Sequence, residues 1–152
     1  MAIFIFDKNT NGVSHPLYRM AASQSDFDNN KSLVDEHYDI ITVSDDDFNN
    51  VKKGIKEVAS RTDNTVSYSD CSFLYNDGAS LQKHINAVTE TLDEWLKDNS
   101  SKPMHANVQA YRDYINSLDV NSIITAESPL ETSLEAYVES QGQTAFHPLQ
   151  LL

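Results

Sequence analysis

The sequence predicts an α+β fold, and two kinds of apolar pattern support that prediction. Residues 3–6 and residues 38–43 are short runs of β-branched and aromatic side chains, which are typical of strands. In the second half, apolar residues recur at alternating spacings of four and three, which marks one face of a helix. We therefore expect a small antiparallel N-terminal sheet with a capped helix, then a mostly helical half and an extended C-terminal arm.

The N-terminal sheet is expected to begin with a hairpin. Asn11-Gly12 favours a tight turn because both residues tolerate positive φ. Residues 13–18 would be the returning strand, and Pro16 would restrict it to a sheet edge. Residues 21–31 are rich in Ser, Asp and Asn, so we expect them to form a loop.

A third strand at residues 38–43 runs directly into a helix start. Ser44 is a natural N-cap, and the aspartates at positions 45–47 lie in the first turn, where the helix dipole favours negative charge. Capping explains these aspartates better than a magnesium site, because neighbouring helical residues do not face one way. The apolar stripe of this helix, which would end near Arg61, consists of Phe48, Val51, Ile55 and Val58. Residues 66–75 are expected to hold one or two further strands.

Three helices with similar apolar seams are predicted for the second half. The seams consist of Leu81, Ile85, Val88, Leu92 and Trp95, of Met104, Val108, Tyr111, Ile115 and Leu118, and of Leu130, Leu134, Tyr137 and Val138. Ser80 would cap the first helix and Pro103 would open the second. The third would start at Ser128-Pro129 and end at Gly142. We expect a helical hairpin or three-helix bundle, packed on itself or on the sheet, with pairing of one seam to another subunit as the alternative.

The chain is expected to have an α+β part at residues 1–76, a helical part of the same domain at residues 77–142, and a docking arm at residues 143–152. The arm contains no Asp, Glu, Lys or Arg, and Pro148 blocks a continuous helix. Its apolar side chains, the predicted interface residues, are Phe146, Leu149, Leu151 and Leu152. Because solvated tails are normally polar, the arm should dock either on its own domain or on a neighbouring subunit. The sequence does not choose between these two.

The net charge of −12, from 23 acidic against 11 basic residues, repels phosphate backbones and anionic membranes, so we expect no direct nucleic-acid or membrane binding. The nearest approach to a basic patch, at Lys52, Lys53 and Lys56, is flanked by acids. No apolar run approaches the length of a membrane span, and the apolar N-terminus is too short for a signal peptide. Cys71 is the single cysteine, which suits a reducing compartment.

No residue pattern predicts a metal, cofactor or catalytic site. Residues 7–12 match the start of a calcium loop, but Tyr18 stands where the closing Glu should be, so a plain turn is favoured and ion binding is left open. Asp26, Asp28 and Asn30 repeat the alternate spacing without the glycine. The histidines, at positions 15, 37, 84, 105 and 147, show no zinc or base–nucleophile spacing. We therefore predict that the protein is not an enzyme, and a small hydrolase with a fold-assembled site ranks lowest.

Two segments resemble structural and tail-assembly proteins of tailed bacteriophages. Residues 39–55 (DIITVSDDDFNNVKKGI) are similar to the strand-then-capped-helix segments of phage tail and fibre-associated proteins. Residues 108–118 (VQAYRDYINSL) are similar to the A-Y-R-x-x-[LI]-x-x-L helix of phage tail-assembly families. The resemblance implies a non-enzymatic virion component that works as an oligomer, and it implies no catalytic residue.

The expected function is that of a structural or assembly protein in the tail, neck or capsid of a phage virion, made in the host cytoplasm. Its partners would be other protein subunits in a homo-oligomer, and deleting residues 143–152 should abolish assembly while leaving the domain folded. The alternative is an acidic, cytoplasmic inhibitor that mimics nucleic acid in a basic groove of a host protein. The salt dependence of partner binding distinguishes the two functions, because charge-driven binding weakens steeply as the salt concentration rises.

Overall fold

The computed structural model describes residues 1–31, 37–71 and 75–152. The predicted α+β class is confirmed, because a small antiparallel sheet is followed by a mostly helical second half. Strands and helices both follow the apolar patterns of the sequence at most positions. The differences are concentrated where short polar segments or glycines decide the path of the chain.

The chain forms two compact units. Unit 1 is built from Met1–Cys71 together with Leu149–Leu152, and unit 2 is built from Ser72–Pro148. The division falls after Cys71 rather than after position 76. The predicted arm, residues 143–152, is shared between the two units and is not a separate segment.

Unit 1 is centred on an antiparallel sheet of three strands, β1 (Ala2–Asp7), β2 (Leu17–Ala21) and β3 (Tyr38–Val43). Their order in the sheet is β2-β1-β3. Phe4 and Phe6 of β1 pack on one side of the sheet, whereas Ile3 and Ile5 pack on the other, as the alternation of a strand requires. All four are at most 1% exposed, so β1 is buried on both faces. The predictions of strands at both apolar runs are confirmed.

The prediction of a tight hairpin at Asn11-Gly12 is wrong. Strands β1 and β2 do pair, but residues 8–16 connect them and the returning strand starts only at Leu17. The loop follows this path because its backbone bonds to another part of unit 1, where the Gly12 N–H donates to the Arg61 carbonyl over 2.8 Å. The expectation that the returning strand lies at a sheet edge is confirmed.

The loop predicted for residues 21–31 contains a helix, α1 (Gln24–Asn30). Ser23 caps it, since its hydroxyl accepts a hydrogen bond from the Asp26 N–H over 3.0 Å. Phe27 is 3% exposed and packs on the side of the sheet that holds Ile3. A single apolar anchor and a cap are enough for a seven-residue helix, although the polar composition conceals both.

Helix α2 (Asp45–Lys52) begins where predicted but ends earlier than predicted. The Ser44 hydroxyl accepts a hydrogen bond from the Asp47 N–H over 3.0 Å, which confirms the N-cap. Gly54 then adopts a φ of +67° and turns the chain out of the helix. The helix therefore does not continue to position 61, and Ile55, expected in the apolar stripe, is 49% exposed.

The chain continues as a β-hairpin of β4 (Lys56–Thr62) and β5 (Thr65–Asp70). Strand β5 confirms one strand within residues 66–75, and Phe73 of that region lies outside the described residues. Helix α2 and this hairpin cover one side of the sheet. The buried cluster between them consists of Ala2, Phe4, Phe6, Met20, Ile41, Val43, Phe48, Val51 and Val58.

Unit 2 is mostly helical. Its helices are α3 (Gly78–Asp98), α4 (His105–Asn116), α5 (Val120–Ile123) and α6 (Leu134–Ser140). Helix α3 packs against both α4 and α5, so the predicted helical hairpin is present. The buried seams consist of Leu81, Ile85, Val88, Leu92 and Leu96 on α3 and of Val108, Tyr111 and Ile115 on α4. Trp95, expected in the first seam, is half-buried, and Leu96 takes its place.

The ends of these helices differ from the expected ends at several positions. Asp77 caps α3 in place of Ser80, because its carboxylate accepts a hydrogen bond from the Ser80 N–H over 2.7 Å. Helix α6 has Ser133 as its N-cap and starts at Leu134, rather than at Ser128-Pro129 as predicted. The predicted end at Gly142 is confirmed, with a φ of +80° that suits a residue just past a helix end.

Candidate functional site

The predicted interface residues of the arm are packed within their own chain. In unit 2, Phe146 is 7% exposed and its ring lies 6.3 Å from that of Tyr111. In unit 1, Leu149 packs against the cluster around Phe4, and Leu152 packs on the opposite side of the sheet. This is the first of the two alternatives left open by the sequence, docking on the arm's own domain.

Leu151 completes this arrangement in unit 1. Its side chain is 7% exposed, and its carbonyl accepts a hydrogen bond from Arg19 Nε over 3.1 Å. None of the four predicted interface side chains is an exposed apolar group, so the arm offers no ready surface to another subunit. The exposed large apolar side chains of the described residues lie elsewhere in the chain.

A partly exposed apolar surface lies on unit 1, on the side of the sheet opposite Phe4. We define the open face as Tyr18, Tyr38, Ile40 and Thr42. Ile40 is 46% exposed and Tyr18 is 43% exposed, which is high for large apolar side chains. The rings of Tyr18 and Tyr38 stack with their centroids 4.9 Å apart. Tyrosine is enriched at protein interfaces and among the residues that contribute most to binding.

The open face continues into the outer edge of β3. Among the described residues, β3 pairs along one edge only, with β1, through six consecutive residue pairs without a bulge. The strand contains no proline and no basic residue. Natural sheets normally protect edge strands with such residues or with bulges. An edge without them is suited to pairing with another strand.

A buried arginine ties the start of β3 to the rest of unit 1. The Arg61 guanidinium lies 2.9 Å from an Asp39 carboxylate oxygen and donates a 2.9 Å hydrogen bond to the Asp7 carbonyl. It also lies over the Phe6 ring, 5.2 Å from the centroid. Its side chain is 3% exposed, whereas that of Asp39 is 38% exposed. The pair neutralises the one charged residue of β3.

A small cavity of about 200 Å³ lies beside this pair. It is lined by Lys8, Asn11, Asp39, Arg61, Asp63 and Asn64. Two acidic and two basic side chains balance each other here, and Asn11 and Asp63 exchange hydrogen bonds of 2.7 and 3.3 Å. The cavity has neither an excess charge nor an apolar lining to select a ligand, so its polar groups serve to join the loop to the β-hairpin.

The Arg61→Lys substitution should lower the free energy of unfolding by about 1–2 kcal/mol, because an ammonium cannot reach Asp39 and the Asp7 carbonyl in the geometry of the guanidinium fork. Urea unfolding followed by circular dichroism measures this change. The reverse exchange Lys8→Arg, at an exposed side chain of the same cavity, is the matched control and should change little. Equal losses in the two variants would contradict a special role for the buried guanidinium.

Unit 2 contains a cluster of titratable groups that sequence spacing did not reveal. The rings of Tyr75 and His84 lie 5.3 Å apart, and burial lowers the pKa of His84. Burial, assisted by the charge of His84, lowers the pKa of His147 to about 4. Burial and the nearby Glu135 carboxylate raise the pKa of Tyr75 to about 12, and the same causes raise that of Tyr111.

These shifts keep the tyrosines and histidines of the cluster uncharged at neutral pH. A tyrosine with a raised pKa is rarely deprotonated at pH 7 and is therefore a poor nucleophile. A histidine with a pKa near 4 is a poor general base at the same pH. The groups come from four separate parts of unit 2, which is why no motif marks them. Because burial lowers the pKa of His147, the stability of the protein should depend on pH in the acidic range.

The candidate metal ligands are occupied by the protein itself. In the Asp7 to Gly12 turn, an Asp7 carboxylate oxygen accepts a hydrogen bond from the Asn9 N–H over 3.0 Å, which caps a 3₁₀ turn. Asp26 and Asp28 lie on α1, where they bond to neighbouring residues. Across the described ranges, no three His, Cys, Asp or Glu side chains are grouped closely enough to hold a metal ion.

Comparisons with protein-family models, with curated proteins and with solved structures found no match for this chain. Within the part of the chain that the structure describes, no helix has the length and apolar character needed to cross a bilayer. The open face and the β3 edge are therefore interpreted from their own geometry. Sequence reasoning missed them because alternation alone does not show which face of a strand other elements will cover.

Proposed function

We propose that this chain is a non-enzymatic structural or assembly protein that binds neighbouring protein subunits. The observation that carries the proposal is the bulge-free outer edge of β3, which adjoins the open face with its exposed Ile40 and stacked tyrosines. Strand addition at such an edge supplies backbone hydrogen bonds, and the adjoining side chains supply specificity. The contact surface thus lies at β3 rather than at the arm.

A finer proposal is that the assembly is a bacteriophage particle. Its support is the resemblance of residues 39–55 and residues 108–118 to phage tail and tail-assembly proteins. The first of these segments contains most of β3 together with α2, so the segment that carries the resemblance also carries the proposed contact surface. Under this proposal the protein is made in the host cytoplasm and acts in the virion as a homo-oligomer.

The Ile40→Lys substitution should weaken self-association at least ten-fold, because it places a charge on the exposed edge strand. Native mass measurement and sedimentation, over a range of protein concentrations, report the oligomeric state. Ile55→Lys is the matched control, since Ile55 is 49% exposed against 46% for Ile40 but lies outside β3. It should assemble as the wild type does.

A chain that stays monomeric at every concentration would contradict the proposal of a homo-oligomeric assembly protein. An equal loss in the two lysine variants would instead show that added charge anywhere on unit 1 weakens assembly. That result would remove the role proposed for β3. Circular dichroism of both variants checks that each is folded.

The net charge of −12 supports the second candidate function, an acidic inhibitor that occupies a basic groove. Salt distinguishes the two functions by the sign of its effect. Subunits of like charge repel, so added salt should strengthen self-association through β3. Binding to a basic groove should instead weaken as salt rises.

A further inference from the structure

We infer that the strand that joins β3 is the β3 strand of a second copy of this chain, paired antiparallel about a two-fold axis at Ile40. This inference rests on the function proposed above and specifies its partner and its geometry. Two three-stranded sheets would become one continuous sheet of six strands. Two-fold dimers of identical patches are the commonest protein oligomers.

The two edges of the sheet differ in how they resist such pairing. Strand β2, at the other edge, follows Pro16, carries Arg19, and pairs with β1 through a register shift between Ile5 and Phe6. A proline, a charge and a bulge are the devices by which natural sheets prevent edge pairing. Strand β3 has a regular register over its whole length and lacks proline and basic residues. Of the two edges of this sheet, as far as the structure describes the chain, β3 is therefore the one suited to accept a partner.

The strand is complementary to itself in the proposed register. In an antiparallel pair, residues directly opposite one another point to the same face of the sheet. With the axis at Ile40, this residue meets Ile40 of the second copy, and Tyr38 meets Thr42 of the second copy. All of these belong to the open face. The exposed isoleucine thereby gains an apolar neighbour while Ile41 and Val43 keep their places in the core of each unit.

The charge on β3 does not oppose this pairing. Asp39 is its one charged residue, and Arg61 of the same chain neutralises it at 2.9 Å. In the proposed register Asp39 lies opposite Ile41 of the second copy, so the two aspartates do not face each other. The remaining cost is the long-range repulsion between two chains of charge −12, which salt screens.

Disulfide trapping tests this register directly. In an Ile40→Cys, Cys71→Ser double variant, the two new cysteines would have Cα atoms about 4.5–5.5 Å apart, within the range that a disulfide bridges. If the two-fold axis lay one residue further along β3, the open faces of the two copies would still lie on the same side of the joint sheet. The two cysteine Cα atoms would then be about 7–8 Å apart, which is too far for a disulfide. Mild oxidation should therefore yield a covalent dimer on a non-reducing gel. The control is Ile55→Cys with Cys71→Ser, which should stay largely monomeric.

The outcomes distinguish the failure of the β3 pairing from the failure of the assembly function. A native oligomer without the Ile40→Cys cross-link would overturn the β3 pairing while the assembly function stands. Equal cross-linking of both cysteine variants would also overturn it, because that result indicates random collision. A chain that is monomeric by native mass removes both. If Cys71→Ser lowers the yield of folded protein, Cys71 is kept and peptide mapping locates the disulfide.

Discussion

We expect the Phe146→Ala substitution to lower the free energy of unfolding of unit 2 by about 3–5 kcal/mol, the usual cost of removing a buried phenylalanine side chain. Phe146 is 7% exposed and packs beside the fully enclosed ring of Tyr111, so its loss leaves a cavity. Urea unfolding followed by circular dichroism measures the change. Gln143→Ala, at an exposed side chain of the same segment, is the control and should change little.

Deletion of residues 143–152 should destabilise the fold itself. The apolar composition of the segment predicts a docking arm whose loss leaves a folded domain. The structure instead places Ala145 and Phe146 in the core of unit 2 and Leu151 in unit 1, so the deletion removes parts of both cores. A truncated chain with wild-type unfolding behaviour would contradict the packing of the segment.

Acid should destabilise the protein through His147. In the folded chain its pKa is about 4, against 6.5 for an ordinary histidine. Between these values the unfolded chain binds a proton that the folded chain does not, so the free energy of unfolding falls as the pH falls. His147 contributes its full stabilisation above about pH 6.5 and loses it as the pH drops towards 4, a change of about 3 kcal/mol.

The His147→Gln variant isolates this contribution from that of the many carboxyl groups. Urea unfolding at several pH values between 7 and 4 should give a shallower loss of stability for the variant than for the wild type. The same exchange at His15, whose side chain is 65% exposed, is the control for the effect of the substitution itself. Equal slopes for the wild type and the His147→Gln variant would refute the assignment.

Local sequence signals predicted the fold well where two of them agreed. At residues 38–47 a β-branched strand is followed by a serine cap and first-turn acids, and the structure reproduces both the strand and the cap. The seams of α3 and α4 were predictable because a four-three repeat sustained over several turns fits a helix and does not fit a strand. Gly142 was correctly placed past a helix end, since the turn there needs positive φ.

The predictions failed where one signal fits two structures. Ile55 and Val58 continue a helical spacing, but they also suit a strand, and Gly54 decides for the strand by turning the chain. Residues 21–31 look like a loop by composition, yet burial of Phe27 holds a short helix there. In the second case a contact distant in the chain outweighs a local preference of a few tenths of a kcal/mol per residue, whereas in the first case the decisive residue is the neighbouring glycine.

By itself, the sequence determined the fold class, the cap at Ser44, the main helix seams and the absence of familiar catalytic motifs, because each depends on neighbours along the chain. Tertiary structure alone decided which apolar residues remain exposed. Phe146 and Leu151 looked like docking anchors and are buried, whereas Ile40 looked like an ordinary strand residue and is 46% exposed. The physical reason is that burial depends on what packs against a side chain, and alternation along a strand does not specify this.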